Sequence, residues 1–336
     1  MTAHSDHIPT SRERRHPPFP DLTGAAVRDT SRTRPGTRPA VRPAVRPVSG
    51  TPLTGTFPAP EGTGPDEVTL WWLGQAGFAL RHRDRLILID PYLSDTLAEK
   101  YRGKLFPHRR MHPAPVAPED IRGVTAVLCT HGHTDHMDPG TIRALLPHND
   151  PRFIVPRAER DRALERGVPA TRLTGTNAGE RVELDGDITI EPVPAAHEHL
   201  EQDANGDHRF LGYVLTIGGF RVYHSGDCVP YDGQPELLRA LGADLALLPV
   251  NGRDAYRTDN GVPGNFTVRE AAELCEAAGI PQLLCHHFGL FDFNTVDPDQ
   301  AREELRRRAT PPFWTVPRVG HAYVLTPGDT TAKEIR

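Results

Sequence analysis

A run of six residues contains three histidines and one aspartate, a density of metal-ligand side chains that no folding requirement explains. The run is His131-Gly132-His133-Thr134-Asp135-His136. Neutral imidazole and carboxylate groups are ligands that suit Zn, Mn or Fe in proteins. The alternative, a polar loop with surface histidines, does not account for this pattern beside a buried strand. The run therefore predicts a metal-binding loop.

The elements around this run place it between a strand and a helix. Residues 124–130 are apolar and are typical of a buried strand. Asp138-Pro139 follows the run and is typical of a helix start, with an N-cap residue and a proline at the first helical position. The ligands should therefore lie on a loop that a rigid scaffold holds in place, where binding and catalytic groups concentrate.

Other ligand-type residues also stand where an apolar strand ends. They are Asp90, His197, Asp227 and the pair His286-His287. When side chains converge from several strand ends at one edge of a sheet, the rigid strands can hold them in the geometry that a metal ion requires. Within the pair, the spacing to Gly289 favours His287 as the ligand. His286 is then expected beside the site, in the core or in contact with a ligand.

Along the rest of the chain, strands and helices alternate in two halves that each contain a βαβ unit. Gly218-Gly219 predicts a hairpin turn. Thr267 and Glu270 form a capping-box pattern before a helix over 271–278, which Gly279 should end. This order favours a mixed α/β (α+β) fold in which two sheets pack face to face with helices outside.

Composition divides the chain near residue 65. Residues 1–65 hold 12 of the 34 prolines, and nine arginines against five acidic residues give them a net charge near +4. Their apolar content is too low for a core, so we expect a disordered Pro/Arg-rich tail before a folded domain over 66–336. Since the whole chain carries −5, the folded part is strongly negative, which argues against nucleic acid as the main substrate.

The sequence also indicates the compartment. No apolar run approaches the ~20 residues that span a bilayer, and no apolar segment follows the N-terminus as in a secretory signal. Four widely spaced cysteines lie in apolar segments and are typical of reduced, buried thiols. We therefore expect a cytoplasmic protein with no membrane span, and the sequence leaves open whether it forms homo-oligomers.

In order and approximate spacing, these ligand-type residues resemble the motifs of the metallo-β-lactamase superfamily over about residues 66–326. The resemblance implies a four-layer αββα sandwich with two divalent metal ions, Zn or Mn, with Fe as an alternative. The family's ligand pattern, carried onto this sequence, assigns three residues to each ion: His131, His133 and His197 to one, and Asp135, His136 and His287 to the other. Asp227 would bridge both ions. Asp90 would contact the ligand side chains and fix their orientation without binding an ion itself.

A centre of this kind implies hydrolytic chemistry. Two cations close together lower the pKa of a shared water and supply hydroxide at neutral pH, which attacks a carbonyl or phosphoryl centre. Asp135 and Asp227 would be the catalytic carboxylates, with Asp135 best placed to orient the water or relay its proton.

A closer resemblance is to the L-ascorbate-6-phosphate lactonase-like branch. It is carried by residues 72–78, 90–95, 118–121 and 248–253 and by His286-His287. It implies cleavage of a lactone or other carboxylic ester in a phosphorylated or acidic sugar-like molecule. Two alternatives stay open: a phosphodiesterase similar to N-acyl-phosphatidylethanolamine phospholipase D, and a non-catalytic metal-bound sensor or binding protein.

The Gly-rich segment 251–266 is our predicted binding loop for an anionic small-molecule substrate. Its candidate contacts are Arg253, Tyr256, Arg257 and Asn265. Arginine matches carboxylate and phosphate oxygens with two parallel hydrogen bonds. A solvated charged loop is an equal alternative. A weaker prediction places His108, Arg109, Arg110 and His112 at the entrance.

Overall fold

The computed structural model describes residues 44–48, 53–184, 188–308 and 312–326, which contain two sheets, a short ribbon and seven α-helices. The first sheet consists of β1 (Ala44–Val48), β2 (Val68–Gly74), β3 (Gly77–His82), β4 (Arg85–Ile89), β5 (Val124–Leu128), β6 (Arg152–Pro156), β7 (Leu173–Thr176) and β17 (Ala322–Thr326). Their order across the sheet is β1-β17-β2-β3-β4-β5-β6-β7. The segment from β4 to β7 pairs in parallel, and the other pairs are antiparallel.

The second sheet consists of β8 (Val182–Glu183), β9 (Thr189–Pro194), β12 (Leu211–Ile217), β13 (Phe220–His224), β14 (Leu245–Pro249), β15 (Gln282–His286) and β16 (Phe313–Thr315). Their order is β16-β15-β14-β13-β12-β9-β8. Between β9 and β12, the strands β10 (Ala196–His197) and β11 (His199–Leu200) form the ribbon. The hairpin predicted at Gly218-Gly219 is confirmed, because β12 and β13 pair antiparallel around it.

The helices are α1 (Thr96–Lys100), α2 (Pro139–Leu145), α3 (Arg160–Glu165), α4 (Gln234–Leu241), α5 (Ala255–Asp259), α6 (Val268–Ala278) and α7 (Pro298–Arg306). Their starts follow local capping chemistry. The Asp138 side chain accepts hydrogen bonds from two backbone N–H groups of α2, and Thr267 and Glu270 form the predicted capping box on α6. Gly279 ends α6 in the left-handed conformation, as predicted.

Strand β2 shows how the layers are built. Leu70 and Trp72 point into a core shared with the second sheet, whereas Trp71 points to the opposite face. There it shares a core with Ile142 of α2 and Ala163 of α3. Alternate side chains of a strand lie on opposite faces, so both faces of this sheet are covered. On the second sheet, α6 packs against β14 and β15 and contacts α4 and α7. The expected four-layer αββα sandwich is confirmed.

Part of the chain before the predicted boundary near residue 65 contributes to the first sheet. Residues 44–48 form β1, which pairs antiparallel with β17. Phe57 is fully buried and packs edge-on against Trp71, with ring centroids 5.4 Å apart. A Pro/Arg-rich segment can form an edge strand because proline is tolerated where one side of the strand has no partner. The rest of the predicted tail, residues 1–43 and 49–52, lies outside the described residues.

In the described part of the chain, no helix combines the length and the apolar character needed to cross a bilayer. All four cysteines are buried with free thiols, and their burial agrees with the apolar segments in which they stand.

Candidate metal centre

All seven predicted ligands meet where strands of the two sheets end. The structure brings their ligand atoms together in three overlapping groups, within each of which these atoms lie no more than 4.8 Å apart. The groups are His131, His133 and His197; His131, His136 and Asp227; and Asp135, His136 and His287. Because Asp227 belongs to the middle group, it lies between the other two. The first and third groups contain the same residues as the two ligand sets that the family resemblance implied, and the middle group joins His131 of one set to His136 of the other.

Asp90 holds His136 in one orientation. Both of its carboxylate oxygens are engaged by Thr130, whose backbone N–H donates over 2.8 Å and whose hydroxyl donates over 2.6 Å. Oδ2 also lies 2.7 Å from Nδ1 of His136. With Nδ1 used in this way, Nε2 is the nitrogen that faces the centre, and a carboxylate partner makes the ring a better ligand. Asp90 thus contacts His136 on the side of the ring away from the candidate centre.

Asp227 is the carboxylate on which the histidines converge. Its Oδ1 lies 3.3 Å from Nε2 of His136 and 3.2 Å from Nε2 of His287. Its Oδ2 lies 3.8 Å from Nε2 of His197. One carboxylate thus faces imidazoles of both sets from its two oxygens, which is the placement that a bridging ligand requires.

The three-histidine group is packed against an aromatic ring. Nε2 of His131 lies 3.0 Å from Nδ1 of His133. The ring of Phe210 lies 5.1 Å from that of His131, 5.9 Å from that of His133 and 5.0 Å from that of His197, measured between centroids. Phe210 follows a loop and carries no ligand atom, so the sequence alone did not mark it as part of the site.

Gln75 is a second residue that sequence reasoning missed. Its side-chain amide donates to Oδ2 of Asp135 over 2.9 Å and lies 3.1 Å from Nε2 of His287. Its backbone carbonyl accepts from the N–H of His287 over 2.9 Å and from the Trp72 indole over 2.9 Å. The available signal was a polar residue within Gly74-Gln75-Ala76-Gly77, in the turn between two apolar strands.

Gly226 allows the backbone just before Asp227 to pack closely against the side chain of Thr130. Its φ is +63°, and a Cβ built there would lie 2.8 Å from the side chain of Thr130. Any other residue would therefore be strained and would push against the hydroxyl that holds Asp90. The turn that presents Asp227 thus depends on glycine.

The charges of the centre differ between its two sides. Burial lowers the pKa of His131 well below its usual value and lowers the pKa of His197 to about 4, so both rings are neutral at pH 7. Burial also disfavours the charged form of His136, but the carboxylates of Asp227 and Asp90 raise its pKa well above the usual value. The two carboxylates therefore favour the protonated form of His136 in the metal-free chain.

The residues fit a divalent metal ion. Two buried atoms that face each other, Nε2 of His136 and Oδ1 of Asp227, have no hydrogen-bond partner in the described residues. An unsatisfied buried polar atom costs about 1–3 kcal/mol, so a bound ligand there is favoured. All seven donors are imidazole nitrogens or carboxylate oxygens, which suit Zn, Mn and Fe.

A cavity of about 500 Å³ opens onto the centre. Five of the seven candidate ligands line it: His133, Asp135, His197, Asp227 and His287. Residues of α1 and the turn after it, between Leu97 and His108, form one wall, and residues 260–263 form another. Of the four predicted entrance residues, His108 lines the cavity, whereas the Arg110 side chain is buried and donates to the carbonyls of Tyr92 and Ser94.

The predicted substrate contacts on segment 251–266 are not among the residues that line this cavity. Arg253 forms two hydrogen bonds with Glu270, of 2.6 and 2.7 Å. Arg257 is buried and donates to Asn294, which does line the cavity. The fully buried Asn265 donates to Asn251, and Tyr256 is 61% exposed. A carboxylate or a buried amide thus already engages three of the four side chains.

Other histidines near the centre have different surroundings. His224 is buried and satisfied: its Nε2 lies 2.8 Å from the carbonyl of Ala76, and its Nδ1 accepts from the N–H of Gly226. His286 is fully buried, stacks on His224 at 5.0 Å and packs edge-on against Phe78. It belongs to none of the three ligand groups, whereas His287 does. The exposed His199 does not line the cavity.

Comparison with known proteins gives concordant results. The model of a family described as a β-lactamase superfamily domain matches residues 85–288. A UPF0173 metal-dependent hydrolase of Myxococcus xanthus is 29% identical over 299 residues, covering 85% of this chain and 91% of that protein. A UPF0173 metal-dependent hydrolase of Aeropyrum pernix is 28% identical over 271 residues, covering 76% of this chain and 96% of that protein.

Solved structures share the fold. An isothiocyanate hydrolase from Delia radicum gut bacteria superposes with a TM-score of 0.61 at 20% identity, covering 76% of this chain and 97% of that one. Igni18, a metallo hydrolase from Ignicoccus hospitalis, superposes with a TM-score of 0.57 at 19% identity, covering 77% of this chain and 98% of that one. At these identities, the likeness concerns the fold alone.

Proposed function

The chain belongs to the β-lactamase superfamily, and we propose that this metal-dependent hydrolase cleaves a lactone or other carboxylic ester of a small anionic molecule. The observation that carries the proposal is the convergence of seven imidazole and carboxylate side chains beside a cavity large enough for a small molecule. The relatives described as metal-dependent hydrolases support the reaction class.

In this proposal each ligand set holds one divalent ion. His131, His133 and His197 would hold the first, Asp135, His136 and His287 would hold the second, and Asp227 would serve both. Zn and Mn suit these donors. When bound, such ions supply Lewis acidity and lower the pKa of water to near neutrality.

Asp135 is the residue that orients the attacking water and accepts its proton. Its Oδ2 is engaged by the Gln75 amide and faces the rings of His136 and His287 at 3.7 and 4.0 Å. Its carboxylate also lines the cavity, so its other oxygen can accept a hydrogen bond from the attacking water. Gln75 thereby fixes the rotamer of the residue that orients the water.

The fold also keeps the ligands in place before substrate arrives. Thr130 and Asp90 immobilise His136, and Phe210 packs on the three-histidine group. Such preorganisation lowers the cost of assembling the reactive geometry during turnover.

The test begins with the metal content of the purified full chain, measured by plasma emission spectrometry. The loaded protein is then assayed with a panel of lactones, aryl esters, thioesters and phosphodiesters. Turnover of lactones or esters supports the proposal. A preference for phosphodiesters would overturn the assigned bond, and bound metal without turnover of any substrate would favour a sensor or binding protein.

A further inference from the structure

Two lysines at the cavity stand out against the composition of the whole chain. The sequence has 39 basic residues, and only three of them are lysines: Lys100, Lys104 and Lys333. Lys100 and Lys104 both line the cavity beside the metal centre. A chain that uses arginine for nearly every other positive charge thus has two of its three lysines at this one place.

These lysines carry charge that no carboxylate of the described residues neutralises through an ion pair. Arginines elsewhere are paired: Arg253 with Glu270, and Arg157 with Glu180 and Asp207. The two ammonium groups are therefore available to a ligand in the cavity.

The other cations of the cavity wall are already engaged. Arg162 donates to the carbonyl of Gly132 and pairs with Glu159. Arg166 donates to the carbonyls of His133 and Met137, with the shorter of these hydrogen bonds 2.5 Å long. Both arginines thus hold the metal-binding loop, which leaves the lysines as the cations free to meet substrate.

A short turn holds the lysines close together. Lys100 is the last residue of α1, and the N–H of Lys104 donates to the carbonyl of Tyr101 over 3.0 Å. The Tyr101 ring stacks on His108 with centroids 4.3 Å apart, and the Lys100 ammonium lies 5.0 Å from the same ring. Aromatic packing therefore positions the Lys100 ammonium, and the turn holds Lys104 in the lining of the same cavity.

We propose that Lys100 and Lys104 form the subsite that binds an anionic group, carboxylate or phosphate, of the substrate. This inference rests on the proposed function, because it identifies the part of the substrate that is not cleaved. A compact ammonium on a flexible stem suits a group whose position varies along the cavity, whereas a guanidinium demands fixed two-pronged geometry. Three apolar side chains that line the same cavity, Leu97, Phe106 and Val262, contact the body of the substrate.

A binding experiment tests the subsite without turnover. The full Zn-loaded chain is reductively methylated with ¹³C-formaldehyde, which keeps the charge of each lysine and labels the three of them. Lys100→Arg and Lys104→Arg assign the signals. Titration with phenyl phosphate, and separately with phenylacetate, should shift the signals of Lys100 and Lys104 saturably and leave that of Lys333 unchanged. Phenol, which has no anionic group, should shift none of them.

Calorimetry on variants provides the second measurement. Lys100→Gln/Lys104→Gln should weaken phenyl phosphate binding about tenfold, the combined effect of two partly exposed ion pairs. Lys100→Arg/Lys104→Arg should restore most of the affinity. Arg306→Gln, which removes an exposed cation from α7, should leave it unchanged. Added salt should weaken binding to the wild type more than to the double Gln variant.

Equal shifts of all three lysine signals, or unchanged affinity in the double Gln variant, would overturn the subsite. With a turned-over ester in hand, the double Gln variant should raise KM for an anionic ester while leaving KM for its neutral analogue and kcat unchanged. If KM rises equally for both esters, the subsite is wrong and the hydrolase proposal stands. If no ester is turned over, the binding result still decides the role of the lysines.

Discussion

Asp90 and His136 form the buried pair on which the orientation of the candidate centre depends. Oδ2 of Asp90 lies 2.7 Å from Nδ1 of His136, and both side chains are fully buried. The backbone of Asp90 has a φ of +45°, a conformation that is uncommon for a residue other than glycine. This backbone conformation places the carboxylate of Asp90 beside the ring of His136.

Replacing Asp90 with Asn should weaken metal binding about 10-fold to 100-fold, the usual effect of removing a carboxylate behind a ligating histidine. The amide keeps the size of the side chain but cannot accept from His136 with the strength of a carboxylate. Competition with a chromophoric chelator measures the affinity. Wild-type affinity in Asp90→Asn would show that the pair does not orient the ligand.

Substitution of Asp227 or His131 with Ala should abolish hydrolysis and lower the bound metal. Both residues belong to the middle ligand group, so each substitution removes a donor next to both sides of the centre. His148→Ala is the matched control, since His148 is exposed at the end of α2 and does not line the cavity. Full metal content together with full turnover in Asp227→Ala would contradict the ligand assignment.

Gly226 and Gly242 offer a matched pair for the turn that carries Asp227. Their φ angles are +63° and +62°, but a Cβ meets Thr130 at the first and has open space at the second. Gly242→Ala should cost about 1–2 kcal/mol through backbone strain alone. Gly226→Ala should cost about 1–3 kcal/mol more through overpacking. Urea unfolding of the metal-free chain measures both, and only Gly226→Ala should also lower metal content.

Metal binding to the two ligand sets should respond differently to pH. Despite its burial, His136 has a pKa raised well above its usual value by Asp227 and Asp90, so a proton must leave before its ring can bind a metal. Affinity at the set that contains His136 should therefore fall about tenfold per pH unit below that pKa. Burial lowers the pKa of His197 to about 4, so its set should hold metal with little change until the pH approaches that value.

Zinc titrations at about pH 8 and about pH 6 compare the two sets, since protons compete with metal ions for imidazole in this range. Two binding events whose affinities fall in parallel would contradict the difference in protonation. Asp90→Asn gives an internal check, because loss of one carboxylate should lower the pKa of His136 and reduce the pH dependence of its set.

The proximity of the candidate ligands could be predicted from the sequence because each stands near a strong local signal. The run from His131 to His136 follows the buried strand β5 after two intervening residues, and Asp138 caps the next helix with its own side chain. Strand ends at one edge of a sandwich then bring such residues together without further information about the loops.

The surroundings of the predicted substrate contacts could not be derived from the sequence because they depend on distant partners. Arg253 looks available in the sequence, but the carboxylate of Glu270 engages its guanidinium. The placement of Gln75 beside Asp135 and His287 requires the turn between β2 and β3 to meet the ends of strands far along the chain. Strand β1 could not be predicted for the same reason, because its partner β17 lies near the other end of the chain.

The pairing of β1 with β17 also decides how a fragment of this protein should be cut for expression. A fragment that starts at residue 66 would lack β1 and would leave the backbone groups of β17 open along the sheet edge. It would also lose Phe57, whose ring covers Trp71. The unpaired backbone groups of an open edge can form hydrogen bonds with a strand of another molecule, so such a fragment would tend to self-associate. The resulting assembly could be mistaken for a natural oligomer. A fragment that begins before Ala44 keeps β1, which pairs with β17.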